Sequence, residues 1–306
     1  MNTDLIIPLL AAAIQSGTPI LYATLGEILT EKSGVLNLGV EGIMIVGALA
    51  AFVVAKFSGN PFLAFALAGA AGMVLAAGHG VVCLWFLGNQ VVSGLALTIF
   101  GLGLADYLGT PLIGQTAPGF DKLSLPGLAQ LPFLGPVFFQ QDLLVYLAVG
   151  VAPLLWLFLN KTRWGLNLRA VGEYPDAAAA AGVSVLNYRW AGVLGGGFLV
   201  GLGGAYLSLA YTHLWTSGLT AGRGWIAVAL VIFAFWRPGR ALFGAYLFGG
   251  VMAFQLRLQA TGTHLPSSLL LMLPYALTVI VLVFASWKSR QANAPAALGI
   301  NYEPQD

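Results

Sequence analysis

Charge is what this chain has least of. Of its 306 residues only 8% are charged, and positions 57–105 carry no formal charge at all. Set against 58% apolar residues and a mean hydropathy of +0.86, that scarcity excludes a soluble globular domain. A bilayer accounts for it, because a spanning helix takes about 20 apolar residues and closes all of its own backbone hydrogen bonds. Cysteine is nearly missing as well. Cys83 stands alone, which excludes an intrachain disulfide and a cysteine-based metal site. His79, His213 and His264 are far apart in sequence and read as packing or interfacial residues rather than metal ligands. The net charge of +2 comes from scattered basic residues, with no patch for nucleic acid. Met1 to Asp4 supplies no basic n-region, so the first apolar stretch reads as a span and not as a cleavable signal peptide.

What is present is apolar chain. It divides into about nine segments, near 6–29, 35–55, 61–87, 90–110, 141–160, 190–211, 224–236, 239–256 and 267–287. The expectation is an all-α polytopic membrane helix bundle, a single domain over 1–306. The seventh segment is short for a full span, so it is tilted, broken or extended into the Gly-rich stretch before it. Residues 111–140 are rich in Pro and Gly yet apolar, and are expected at the membrane interface. Residues 161–189 form the only markedly polar stretch in the body of the chain. Basic loops stay cytoplasmic. With 161–189 inside, alternation puts Lys32, Lys161, Arg163, Arg169, Arg189, Arg237, Arg240, Lys288 and Arg290 inside, and Lys56, Lys122, Arg223 and Arg257 outside. The N-terminus is then outside, and the 288–306 tail cytoplasmic.

Forty glycines carry a packing message, because helices in lipid associate through close backbone approach at small residues. Gly197 and Gly201 form a GxxxG pair that predicts a tight helix–helix seam. Two broken stretches, SGVLNLGVEG from Ser33 and SGLTAGRG from Ser217, fall near opposite faces with four spans on either side of a lone fifth. That placement suggests an inverted 4+4 repeat of the kind that marks transport pathways; chance similarity between two Gly-rich turns explains it equally well.

Enzyme signatures are wanting. GEILTEKS, 26–33, resembles a P-loop but puts Glu31 where the second glycine belongs, and a carboxylate there repels phosphate. There is no HExxH and no GxSxG, and Asp106 has no evident catalytic partner. No catalytic residue, metal or cofactor is expected. Glu41 is set in apolar chain four residues after Asn37, so on one helix the two share a face. Two readings stay open. Glu41 accepts backbone N–H groups freed by Gly39 and Gly42, or Asn37 and Glu41 line a polar solute path, burial of a charge being expensive unless it is paired or wetted. Asn89 and Gln90 form a similar amide pair at the start of the fourth span. Within 161–189, Arg169, Glu173 and Asp176 adjoin a five-alanine run that stops at Gly182. Asp176 is placed to cap that helix, and the arrangement suits the docking of a soluble partner.

Three blocks carry a resemblance: TLGEILTEKSGVLNLGVEGIMIVGALAA, GLNLRAVGEYPDAAAAAGVSV and SGLTAGRGWIAVALVIFAFWRPGRALFGAYLFG. They resemble bacterial ABC-importer permeases, most closely the nucleoside branch, which is related to permeases for ribose-type sugars and branched-chain amino acids. The resemblance implies half of a transmembrane pathway in the inner membrane. A second permease would complete it as a heterodimer, a cytoplasmic ATP-binding subunit would hold the ATP, and an extracytoplasmic binding protein would deliver a small solute. It also implies that Arg169, Gly172, Glu173, Asp176 and Gly182 belong to the helix that couples to the ATPase, while Asn37, Glu41, Asn89 and Gln90 remain candidates for the substrate pathway. One departure is Ala234 in IFAFWRP, where relatives often carry glycine. The alternatives are a permease for a simple sugar or another small polar solute and, from a different class, a stand-alone channel or secondary transporter.

Overall fold

The computed structural model describes residues 3–262, 266–288 and 294–303. Met1, His264, Arg290 and part of the 288–306 tail lie outside these residues. Four helices open the chain: α1 (Thr3–Lys32), α2 (Val40–Ser58), α3 (Pro61–Gly80), which runs on through a π turn at Val81–Trp85, and α4 (Gln90–Gly109). Their boundaries follow local chemistry. Gly59 closes α2 in the left-handed region at φ +67°, Asn60 accepts the N–H groups of Phe62 and Leu63, and Pro61 takes the first helical position, where its missing N–H costs nothing. Asn89 caps α4 in the same way through the N–H of Val92.

The connection after α4 is not purely helical. Strand β1 (Lys122–Ser124) pairs antiparallel with β2 (Gln140–Asp142), Lys122 opposite Asp142, and a short α5 (Leu134–Phe138) lies between them. Asp142 then caps α6 (Leu143–Lys161), accepting from the N–H of Val145 at 3.0 Å and from the Tyr206 hydroxyl at 3.1 Å. Burial pushes its carboxyl up from the usual range while these hydrogen bonds pull it back. The remaining helices are α7 (Arg163–Glu173), α8 (Pro175–Ala180), α9 (Val185–Tyr206, with a π turn at Leu207–Tyr211), α10 (Arg223–Phe233), α11 (Pro238–Ala260), α12 (Ser267–Leu271) and α13 (Leu273–Lys288).

Among the described residues, α1, α2, α3, α4, α6, α9 and α11, some with their continuing turns, make seven helices long and apolar enough to cross a membrane. The segments read as 224–236 and 267–287 give shorter helices. α9 and α2 are the most enclosed of the seven and α4 the least, so α4 turns Val92, Ile99, Phe100 and Tyr107 outward. The glycine seam lies between α9 and α3. A Cβ on Gly197 would strike Ala76, and one on Gly201 would strike the backbone of Ala68. A matching seam joins α1 to α11, where a Cβ on Gly17 would fall 2.5 Å from the Ala245 oxygen and one on Gly249 would strike Ala13. Backbones approach this closely because hydrocarbon offers helices no hydrophobic reason to associate, leaving packing at small residues to hold them.

Two faces result. On one, the β1–β2 segment packs against the end of α9, with the Phe120 N–H on the Leu209 oxygen at 2.7 Å and the Phe120 ring against Phe62. On the other, α7 and residues 294–303 meet the end of α1. Residues 161–189 are thus not one loop around an alanine helix but two helices between the ends of α6 and α9. Asp176 does not cap α8. Tyr174 holds the cap position and Pro175, whose φ is preset for a helix, begins it, so Asp176 lies exposed in the first turn, where it favours the dipole without closing the end.

Candidate functional site

The two broken stretches meet at one carboxylate. Glu41 lies in the first turn of α2 and is buried. Its Oε1 accepts from the Thr220 hydroxyl at 2.5 Å and the Gly222 N–H at 2.9 Å, and its Oε2 from the Gly224 N–H at 2.6 Å. Gly222 and Gly224 flank the start of α10, where N–H groups have no partner within the helix and the dipole is positive. A carboxylate answers both demands. Contact is so close that a Cβ on Gly224 would sit 2.5 Å from the Glu41 Cα, and α2 and α10 therefore start side by side. The donors are not those expected from Gly39 and Gly42. These two glycines instead admit α4, a Cβ on Gly42 falling 2.5 Å from the Leu97 oxygen. Around this point the buried Arg223 donates from Nη1 to the Thr220 oxygen at 3.1 Å and lies 5.5 Å from the Tyr211 ring centre. Asp106 accepts the Ser217 hydroxyl at 2.5 Å, a contact that joins α4 to the same stretch.

Asn37 does not share a helix face with Glu41. Its Oδ1 accepts the Gly39 N–H at 2.8 Å, a local turn that competes with helix, and α2 begins only at Val40. The Asn37 N–H donates instead to Glu27 Oε1 at 3.2 Å, and its side-chain nitrogen is buried without a partner. Glu27 and Glu31 are buried four residues apart on α1, and Glu27 Oε2 has no hydrogen-bond partner among the described residues. Glu31 also accepts the indole N–H of Trp236. Sequence reasoning missed both acids, although the signal was available: two carboxylates at helical spacing inside apolar chain. Gln90 is buried, taking the Leu36 N–H at 2.8 Å and donating to Asn301 at 3.1 Å, while Asn89 is exposed and occupied with its cap. His79, as expected, is a packing residue held by Ser93 and the Leu36 oxygen, each at 3.0 Å. Among the described residues no cluster of His, Cys, Asp and Glu could hold a metal.

The other expected residues gather on the α7 face. Gly172 lets α7 rest on the end of α1, since a Cβ there would sit 3.1 Å from the Gly34 nitrogen. Glu173 accepts the Ala296 N–H at 3.1 Å, Ala297 donates to the Gly172 oxygen at 2.9 Å, and Gly299 donates to the Gly34 oxygen at 3.2 Å. Arg189, also buried, reaches the Ile300 oxygen at 2.9 Å. Residues 294–303 are thus a strap over the helix ends, which composition did not foretell. Gly182 ends the α8 region at φ +80°, a left-handed conformation that glycine adopts without strain. Asp176 is exposed, and so are Trp164, Leu166 and Tyr174, leaving a mixed apolar and charged surface on α7 and α8.

Comparisons with known proteins bear on this arrangement. Residues 9–282 match the family model described as branched-chain amino acid transport system / permease component. TsgC13 of Haloferax volcanii, provisionally named a glucose ABC transporter permease protein, is 47% identical over 82% of this chain and 78% of its own. The nucleoside ABC transporter permease protein NupC of Lactococcus lactis is 36% identical over 93% of each chain. The guanosine ABC transporter permease protein NupQ of Bacillus subtilis is 33% identical over 95% of each. No solved structure matches.

Proposed function

The chain belongs to the permease-component family of branched-chain amino acid transport systems, and from that premise we propose that it forms half of the pathway of an ATP-driven importer of nucleosides. As an ABC transporter permease it is a multi-pass membrane protein that works with ATP-binding and substrate-binding partners on a small solute. The observation that carries the nucleoside reading is likeness along nearly the whole of both chains to NupC and NupQ. Import of a simple sugar is the second reading, favoured by the higher identity to TsgC13 over a shorter share. Uptake of labelled guanosine, cytidine and glucose by the reconstituted complex decides between them. Uptake of glucose with neither nucleoside would sink the first.

In this reading α10 and the α12–α13 segment complete nine crossings, and the bundle is an inverted repeat. Supporting the repeat, the same number of residues separates Gly17 from Gly201 as separates Ser33 from Ser217, and the α1–α11 and α3–α9 seams use small residues at the same spacing. Glu41 and Asn37 brace the broken helices beside the route, while Asn89 and Gln90 hold the turn before α4 at one end of it. The α7 face is cytoplasmic, which accords with the basic residues gathered there. It offers Asp176 and the exposed Tyr174 to the ATP-binding subunit, while Gly172 and Glu173 seat α7 on the end of α1 and on the strap, Arg169 faces the cleft beside them and Gly182 closes α8. A related permease supplies the second half of the pathway.

A further inference from the structure

Beside α7, between the end of α1 and the turn that leads into α11, lies a polar cleft of about 460 Å³. Lys32, Arg169 and Arg237 line it with Glu173, Trp156 and Trp236. Glu173, which accepts the Ala296 N–H, and the neighbouring Glu31 both lie near Lys32, and the guanidinium groups of Arg169 and Arg237 complete the charged lining. The Nε of Arg169 is buried without a protein partner, and Arg237 is exposed. The turn that presents Arg237 is built for its place. Phe235 and Trp236 both adopt the left-handed region, at φ +52° and +53°, a conformation that residues with a Cβ avoid, and the Trp236 indole is held on Glu31. Leu154, Trp156 and Leu157 on α6 are exposed, so the cationic cleft opens beside apolar surface.

We propose that this cleft binds the phosphate headgroup of an anionic phospholipid, with Arg169 and Arg237 on the phosphate oxygens and the acyl chains along the exposed apolar residues of α6. Guanidinium groups form strong charge-assisted hydrogen bonds to phosphate, and basic pockets between membrane helices take anionic headgroups. A soluble phosphate satisfies the same cations but makes no use of the apolar rim. With the headgroup in place, α7 is tied to the end of α1 and to α11 through the lipid. The proposal rests on the chain being a multi-pass membrane protein and is independent of the solute.

The test uses the full chain purified with its partner subunits and incubated with phosphatidylglycerol or with phosphatidylcholine of the same acyl composition. Native mass spectrometry should find phosphatidylglycerol retained about tenfold more, because both lipids present the same phosphate oxygens but the choline ammonium of phosphatidylcholine cancels the headgroup charge and is repelled by the cations of the cleft. Arg237→Gln should remove that preference and Arg237→Lys should keep most of it. A readout free of substitutions is modification of Arg237 by phenylglyoxal, which phosphatidylglycerol should slow and phosphatidylcholine should not. Equal retention of the two lipids would overturn the proposal, as would displacement of phosphatidylglycerol by millimolar inorganic phosphate. So would protection of Arg237 by the ATP-binding subunit alone, since that would make the cleft a protein-docking surface.

Discussion

At the scale of single residues, Glu41 shows how a buried charge is made tolerable. Three donors from a stretch about 180 residues away replace its water. Gln in its place presents an NH2 group to at least one of those donors. Glu41→Gln should lower stability by about 1–3 kcal/mol, read as a drop in the thermal midpoint of the purified protein in detergent. Glu41→Leu, which leaves all three donors unanswered, should abolish assembly. If the Gln variant transports at the normal rate, the charge has no part in function beyond bracing. Trp236 makes a similar case from the donor side. Trp236→Phe keeps an aromatic ring in the turn but takes the indole N–H from Glu31, and the loss should again be about 1–3 kcal/mol. An unchanged midpoint would show that Glu31 finds another donor.

At the scale of elements, the broken helices and α8 carry the sharpest expectations. Gly224→Ala places a methyl group against the Glu41 backbone, where a methyl cannot fit without pushing α10 off its start. A cost of about 1–3 kcal/mol is expected for such overpacking, with less material recovered as a single species in size-exclusion chromatography. A change elsewhere on α10, at the exposed Trp225, should be far milder. In α8, Ala179→Pro costs roughly 3 kcal/mol of helix without touching the seams. ATP hydrolysis by the assembled complex should continue while uptake falls, and solute binding to the separate binding protein should not change. Uptake at the normal rate in that variant would show that α8 is not the coupling element. The departure at Ala234 has little consequence for its own backbone, which sits at φ −72°, where alanine is at ease.

At the scale of the whole molecule, the decisive comparison is between the chain alone and the chain with partners. In liposomes, uptake should require ATP and the ATP-binding subunit. Nucleoside movement by this chain alone, down an ion gradient, would instead mark a secondary transporter. The strap belongs to this scale as well, because residues 294–303 join α7, the stretch after α1, α9 and the turn before α4 through backbone and side-chain bonds. Ending the chain at residue 293 should cost stability and leave Arg189 without its bond to Ile300. Hydrogen exchange in α7 should rise, while exchange at the Gly17–Gly249 seam should hardly change.

The amino-acid sequence by itself determined the solvent of this protein and most of its helices, because apolar runs near 20 residues and the scarcity of charge admit only helices in a bilayer. It also announced the Gly197–Gly201 seam, the two broken stretches and the special place of Glu41, since glycine spacing and a carboxylate amid apolar chain are local signals. Which groups answer Glu41 was not local. Thr220, Gly222 and Gly224 reach it only because α2 and α10 begin side by side, and no periodicity records a hydrogen bond between distant stretches. The same holds for Glu27 and Glu31, whose spacing was visible but whose burial against Asn37 and Trp236 depends on three separate segments. Asn37 was misplaced for the opposite reason, since a local turn to Gly39 overrode the helix that its distance from Glu41 suggested. The strap and the cleft beside α7 were decided by tertiary structure alone. Their residues come from far ends of the chain, and only the packing of helix ends on one face brings them within reach of each other.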